Sequence, residues 1–438
     1  MSREIFDYLK NRKILILGFG REGKSSYNFL RKYDKSLPIS IADKMPVEIN
    51  DENVTLFTGE NYLDAINQHD VVLKSPGISL RSFKAEENVE ITCQTDLFLK
   101  YAPLKKIGVT GTKGKTTTTT LIFKILEAAG MKACLIGNMG VPVFDSFEGE
   151  SYDIAAIEMS SHQLEYTRNS PDISVITNVY PEHLDHYNGF EGYVNAKLNI
   201  LRYQTENGFI VYNKDQGLDE YIDITRIPAE KKAVSAYTDD EFLKELATSN
   251  PCLRGVHNQQ DIFFAAAVAE RLGIDKESVK RGIADFKGIE HRMESVGTFR
   301  GIEFFNDCIA TIPHATLCAV EALGNVGTLI VGGMDRGIDY TLLENGLLKL
   351  KLDNIIGLPD TGHTLIDKLQ AMGCTSKMVK AADMEEAVKA AYELTASSKS
   401  CILSPAASSY NVYKNFEFKG RHFKSLVVEI GKDASDEK

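Results

Sequence analysis

Residues 108–120, GVTGTKGKTTTTT, join a strand-like run, KKIGVTG, to a run with helical spacing, LIFKILEAA. No other feature limits the fold as much. A strand that passes through a short glycine turn into a helix is the first half of a strand–helix–strand unit, and such units build parallel sheets with helical cover. The loop also has a chemistry. Gly111 and Gly114 let backbone N–H groups turn inward and approach an anion closely. Lys115 adds a point charge for bridging phosphates, Thr116 offers a hydroxyl to Mg²⁺, and the helix directs its positive end at the same place. The generic phosphate loop reads G-x4-G-K-[ST]. Counted from Gly108, this loop is one residue too long, so it matches the narrower form T-G-T-x-G-K-T. A plain polar turn is the competing reading; the preceding strand and following helix favour ATP or GTP with Mg²⁺.

The rest of the chain repeats the alternation. KILILG (13–18), PISIAD (38–43) and DVVLKSPGI (70–78) read as strands, with a helix through SSYNFLRKY. KACLIGN, YDIAAIEMS and ISVITNV read as strands of a second series, which closes with the long helix HNQQDIFFAAAVAERLG. A third series holds GIEFFND, GTLIVGG, NIIGLPD and SCILSP, with helices at ATLCAVEAL and MEEAVKAAYEL. The expectation is three α/β domains in series, at 1–95, 96–295 and 296–438. The length of 438 residues agrees with two or three domains.

Composition narrows the class. Hydrophobic residues make up 43% and charged residues 25%, as in globular proteins. No apolar run reaches the roughly 18 residues of a membrane span. The opening MSREIFDYLKNRK lacks the apolar centre of a signal peptide, so a cytoplasmic location is expected. A net charge of −11 argues against nucleic acid or an anionic membrane as partner. The seven cysteines are dispersed without CxxC spacing, which suits reduced thiols.

Other residues carry weaker signals. Glu158 ends the strand IAAIE, and a carboxylate at a strand C-terminus beside a phosphate loop suits Mg²⁺; a surface charge or helix cap is the plainer alternative. TNVYPEHLDHYNGFEGYVNAKLNI carries His183, Asp185, His186 and Lys197. Histidine and acids after a strand suit a metal, or simply a polar loop. By pattern alone Lys197 is a solvated lysine and Asn258 an N-cap.

These pieces occur together and in order. With GVTGTKGKTTT, GNMG, EMSSHQLE, ITNVYPEHLDHY, AKLNI, GVHN, FKGIEHRME, FND, GGMDRG and LSPAASSYNVYKNFEFKG, the sequence resembles the Mur ligase family over nearly its whole length. The resemblance implies a Rossmann-like N-terminal domain, a central P-loop-type ATP-binding domain with a mostly parallel sheet, and a Rossmann-like C-terminal domain. Within the family it points to the ligase that adds glutamate to UDP-N-acetylmuramoyl-L-alanine. On that basis Gly20, Arg21, Glu22, Asp43 and the turn Ser75-Pro76-Gly77 would lie by the UDP group, with Asn138 and His183 on the same substrate. Gly111, Thr112, Lys113, Gly114, Lys115, Thr116 and Thr117 would hold ATP, and Asn258, Arg292 and Asp307 would position the nucleotide. Thr116, Glu158 and His183 would take Mg²⁺, joined by Lys197 if it is carbamylated to N6-carboxylysine. A monomer is expected.

The pattern breaks at the amino-acid site. Relatives carry N-D-S-K-A-T where this chain has Asn306-Asp307-Cys308-Ile309-Ala310-Thr311. A lysine that would meet a glutamate carboxylate is replaced by an apolar side chain. Arg336 in GGMDRG stands where some relatives place lysine, and Thr311, Ser409 and Phe416 match the remaining positions. D-glutamate held by Arg336 or another cation, L-glutamate in a rebuilt pocket, and a different amino acid are the three readings, in that order. A folylpolyglutamate-synthase-like ligase is a further alternative, against which the SPGI turn and the C-terminal motif argue.

Overall fold

In the computed structural model, which describes residues 2–137, 141–147, 152–182, 186–224, 226–253 and 255–433, the strands assemble into three separate sheets. The chain divides into two compact units, Met1–Phe286 and Lys287–Lys438. The first holds two of the sheets and the second holds the third.

The first sheet contains β1 (Ile14–Leu17), β2 (Ile39–Asp43), β3 (Val54–Thr58), β4 (Val71–Lys74) and β5 (Glu90–Thr92) in the order β3-β2-β1-β4-β5. Every pairing is parallel. The central strand, ILIL, is buried throughout, which is why it shows no alternation. Strand order reverses at β1, so the loops leaving β1 and β4 diverge and open a crevice at their C-terminal ends. The helix Arg21–Tyr33 starts in that crevice.

The second sheet contains β6 (Lys105–Thr110), β7 (Ala133–Ile136), β8 (Ile154–Glu158), β9 (Ile173–Ile176), β10 (Phe209–Asn213) and β11 (Glu230–Val234). Its order is β11-β10-β9-β6-β8-β7, again parallel. Strand β6 therefore lies between β8 and β9, and the phosphate-loop helix Lys115–Ala128 leaves from its C-terminal end. That helix stops before Gly130, whose φ of 72° supplies the left-handed exit. The helices Val256–Arg271 and Lys276–Ala284 pack on it, the latter so closely that a Cβ on Gly282 would lie 2.5 Å from Ile125 Cα.

The third sheet contains β12 (Glu294–Phe299), β13 (Ile302–Asn306), β14 (Val326–Val331), β15 (Asn354–Gly357), β16 (Lys377–Lys380) and β17 (Ser400–Leu403) in the order β12-β13-β17-β14-β15-β16. Only β12 runs antiparallel, joined to β13 through Arg300 and Gly301, both at positive φ as a tight hairpin turn requires. The C-terminal ends of β13 to β17 share one edge.

The α/β class with mostly parallel sheets is the one expected. Strands β3, β11 and β16 lie at sheet edges and read VTLFT, EKKAV and KMVK; their exposed polar residues hide them from an apolar-run criterion. Asn258 is not an N-cap. Gly255, at φ 89°, caps the helix Val256–Arg271, and Asn258 sits within its first turn.

Gly23 tests how tightly the first turn is packed. A Cβ there would lie 2.0 Å from Gly18 O, whereas one on Gly20 would meet nothing within 4 Å. Helix propensity alone would favour Gly23→Ala by about 1 kcal/mol. The clash is with backbone and outweighs it, so Gly23→Ala lowers stability by about 1–3 kcal/mol. Gly20→Ala, at φ −72°, stays within about 0.5 kcal/mol of wild type. Thermal denaturation of the two variants side by side checks this.

Candidate active site

Strand β6 delivers the chain to Gly111, where a side chain is excluded: a Cβ would lie 1.9 Å from Thr177 Oγ1. Gly114 caps the following helix at φ 82°, and a Cβ there would approach Asp261 Oδ1 to 2.5 Å. The loop is gripped from both sides. After β9, Asn178 O accepts from the Thr112 N–H at 2.9 Å. Asn178 Oδ1 accepts from the Lys113 N–H at 2.8 Å, and the Thr177 hydroxyl donates to Lys113 O at 2.6 Å. On the other side buried Asp261 accepts from the Thr118 hydroxyl at 2.8 Å. The backbone is thus fixed before any ligand arrives, as anion recognition by N–H groups demands.

Two lysines converge on one carbonyl. Lys115 Nζ donates to Gly111 O and Thr112 O, each at 3.0 Å. Lys197 Nζ donates to the same Gly111 O at 2.7 Å. Lys197 lies on the helix Gly189–Arg202, is 2% exposed, and rests 4.6 Å from the Tyr193 ring centre. Tyr193 in turn shares a 3.0 Å hydrogen bond with Thr112 Oγ1. Burial, reinforced by the positive charge of Lys115 and partly opposed by Glu182, pushes the Lys197 amine down to about 7. Sequence pattern gave no sign of this, because the lysine is buried by tertiary packing rather than by local spacing.

Glu158 ends β8 directly across from Val109 in β6, beside the loop. Thr116 and Thr117 occupy the first turn of the loop helix. Asn138, His183 and Asp185 lie outside the described residues. Among the described residues no group of three or more His, Cys, Asp and Glu side chains stands ready for a metal. A hydroxyl and a carboxylate are nevertheless oxygen donors of the kind Mg²⁺ accepts.

The crevice of the first sheet collects Gly20, Arg21 and Glu22 after β1 and Ser75, Pro76 and Gly77 after β4. Asp43 ends β2 and accepts the Phe19 N–H at 2.6 Å and the Met45 N–H at 2.8 Å, so its carboxylate also shapes the glycine turn. Burial raises the Glu22 carboxyl to about 7, against the charge of Lys74, and Glu22 Oε1 is buried without a hydrogen-bond partner. Lys74 is itself buried and pairs with Glu165 at 3.4 Å.

Arg292, Asp307, Thr311, Arg336, Ser409 and Phe416 belong to the second unit. Asp307 follows β13, and its carboxylate accepts from the Ser404 hydroxyl at 2.8 Å and the Met293 N–H at 3.2 Å. Burial raises it to about 6. Arg336 is exposed on the loop after β14, Ser409 is buried after β17, and Phe416 opens the helix Phe416–Asp433. Ile309 is half-buried and donates its N–H to His291 O at 3.1 Å. One residue of this unit escaped sequence reasoning: Lys419, buried within the quoted motif KNFEFKG.

The chain is similar to proteins of known family. Residues 109–263 match the Mur ligase middle domain. The chain is 33% identical to the UDP-N-acetylmuramoylalanine–D-glutamate ligase of Clostridium botulinum (strain 657 / Type Ba4), over 97% of its own length and 98% of that protein. It is 32% identical to the protein of the same name from Clostridium acetobutylicum, over 98% of both. Its fold superposes on the crystal structure of the UDP-N-acetylmuramate-alanine ligase MurC from Thermotoga maritima with a TM-score of 0.57 at 18% identity, covering 97% of this chain and 100% of that one. The chain belongs to the Mur ligase family, and it is a ligase.

The depressed Lys197 amine has a stability consequence. Its folded value, about 7, lies below the 10.5 of a free lysine. Between those values the unfolded chain binds more protons than the folded one, so this residue's contribution to stability rises with pH across that window and is lost as pH falls through about 7. Relative to Lys197→Met, wild type therefore gains stability between pH 7 and pH 9, by up to about 1.4 kcal/mol per pH unit. Denaturant unfolding of both proteins at the two pH values measures it, and an unchanged difference would refute the assignment.

Proposed function

We propose that this protein joins glutamate, with D-glutamate favoured, to UDP-N-acetylmuramoyl-L-alanine in cytoplasmic peptidoglycan precursor synthesis, cleaving ATP to ADP and phosphate. The observation that carries the reading is the rigid glycine loop: its inward N–H groups, the helix end and Lys115 concentrate positive charge where a polyphosphate fits. The near-full-length likeness to ligases of that name supports the substrate.

The L-alanine carboxylate oxygen attacks the γ-phosphorus, the bond to the β-phosphate oxygen breaks, and an acyl phosphate and ADP result. The glutamate amine then attacks the activated carbonyl, loses a proton, and phosphate departs as the amide forms. In the first step the loop N–H groups and the helix end hold the phosphates in line, and Lys115 neutralises charge gathering on the transferred group. Thr116, Glu158 and His183 would hold Mg²⁺, which supplies further charge neutralisation at phosphate oxygens. Lys197 suits carbamylation: with the amine held near 7 its neutral form is available to attack CO₂, the C–N bond forms as one C=O π bond opens, and one proton leaves, so a neutral amine beside Lys115 would become an anion. Asn138 and His183 would add contacts to the UDP-substrate.

L-glutamate is the second reading, favoured by one observation: an apolar Ile309 where relatives carry a cation. Phosphate release with UDP-N-acetylmuramoyl-L-alanine and each enantiomer separates the two. Turnover with D-glutamate is expected; turnover with L-glutamate alone would overturn the preference, and silence with both would overturn the reading. Lys115→Ala should lower acyl-phosphate formation at least about a hundredfold, while UDP-substrate binding, followed by calorimetry, is retained. Lys197→Ala should abolish the added mass of one CO₂ in the intact protein and reduce turnover.

A further inference from the structure

A cavity of about 210 Å³ opens at the C-terminal edge of the third sheet, where Leu358 and Pro359 follow β15 and Asn411, Val412 and Tyr413 follow β17. Lys419 forms part of its wall. The space equals roughly seven water molecules at about 30 Å³ each, enough for a small organic acid. Its aliphatic side, Leu358, Pro359 and Val412, suits a methylene chain.

Lys419 is the unusual group here. It is 2% exposed and lies one helical turn beyond Phe416. Its ammonium carries three donors. One goes to Gly332 O at 2.7 Å, and among the described residues no carboxylate pairs with it. Burial lowers the amine to about 8, which leaves it charged at neutral pH. Two acids share the cavity wall but are engaged elsewhere: Asp383 accepts the Glu386 N–H at 2.9 Å, and Glu385 pairs with Lys389 at 2.7 Å. A buried ammonium that keeps its charge beside an open space calls for an anion from outside the chain.

The same loops carry the candidate amino-acid residues. Gly332 and Gly333 lead to Arg336. The turn that starts at Ser409, whose carbonyl accepts from the Val412 and Tyr413 N–H groups at 3.3 and 2.9 Å, forms the opposite wall. Ser409 Oγ is itself buried without a partner.

We propose that this cavity receives one carboxylate of the amino-acid substrate, with Lys419 as its cationic partner. The proposal rests on the glutamate-ligase reading and adds to it the residue that fixes the acid. The test uses the full chain and glutarate, a dicarboxylate without an amine, titrated by calorimetry. Lys419→Met should weaken glutarate binding at least about tenfold, and Lys419→Arg should restore part of it. Val412→Trp is the folding-safe companion, since Val412 is 67% exposed at the cavity wall; it should weaken glutarate binding with Lys419 intact. In turnover assays both Lys419→Met and Val412→Trp should raise the amino-acid KM, leaving the KM values for ATP and the UDP-substrate unchanged. Glutarate binding that is absent from wild type, equal in all proteins, or matched by inorganic phosphate would overturn the proposal. So would a Lys419→Met protein in which every KM and the Tm shift together, the mark of a structural anchor. Wild-type protein that binds glutarate at Lys419 yet shows no turnover with glutamate would instead remove the glutamate-ligase reading and leave the carboxylate site.

Discussion

Everything at the phosphate loop depends on the absence of a side chain at Gly111. The 1.9 Å gap between its missing Cβ and Thr177 Oγ1 lets the segment after β9 close over the loop and bind Thr112 and Lys113 through their backbones. The same close approach turns Gly111 O toward both Lys115 and Lys197. The sheet order is what makes this possible. With β9 on one side of β6 and β8 on the other, one neighbour clamps the loop and the other brings up Glu158.

The other sheets follow the same rule. Parallel strands place all their C-termini on one edge, and the edge opens wherever the order reverses. In the first sheet that point lies between β1 and β4, where the glycine turn and Ser75 meet; the Ser75 hydroxyl donates to Gly18 O at 2.9 Å. In the third sheet β17 is inserted between β13 and β14, so Asp307, Ser404 and the Gly332–Gly333 turn become neighbours although they are far apart in sequence. Chemistry gathers at these edges because their loops are free to vary while the buried strands are not.

This explains what could be read from the sequence. Central strands such as ILIL and KKIGVT declare themselves by apolar runs, and the loop at 111–117 by its glycines and lysine. The α/β class and the position of the phosphate loop followed from those signals alone. The edge strands β3, β11 and β16 did not, because exposed polar residues such as those of KMVK carry no apolar signature. Nor did the state of Lys197, which looks like any helical lysine until its helix is packed against Gly111, with the Tyr193 ring one turn earlier on the same helix beside the amine. Asp261 was hidden for the opposite reason: it lies in an apolar helix, and only the close approach to Gly114 shows why a charge is kept there.

Three lysines are buried among the described residues, and their charge is met in different ways. Lys74 shows how this fold neutralises a cation of its own: Glu165 lies 3.4 Å away, and the Tyr166 ring centre 5.2 Å away. Lys197 and Lys419 have carbonyl oxygens for partners, at 2.7 Å in each case, and among the described residues neither has an ion-paired carboxylate. A carbonyl dipole compensates a buried ammonium only in part, which is why burial pulls both amines down toward neutrality. An ion pair offsets part of that cost, as at Lys74, where burial still lowers the amine although Glu165 opposes it. Leaving two other buried amines short of negative charge is costly to the folded protein alone, and an anion brought from outside the chain would offset that cost. On the two proposals above, the incompletely compensated lysines are the places where the reactants would supply that charge.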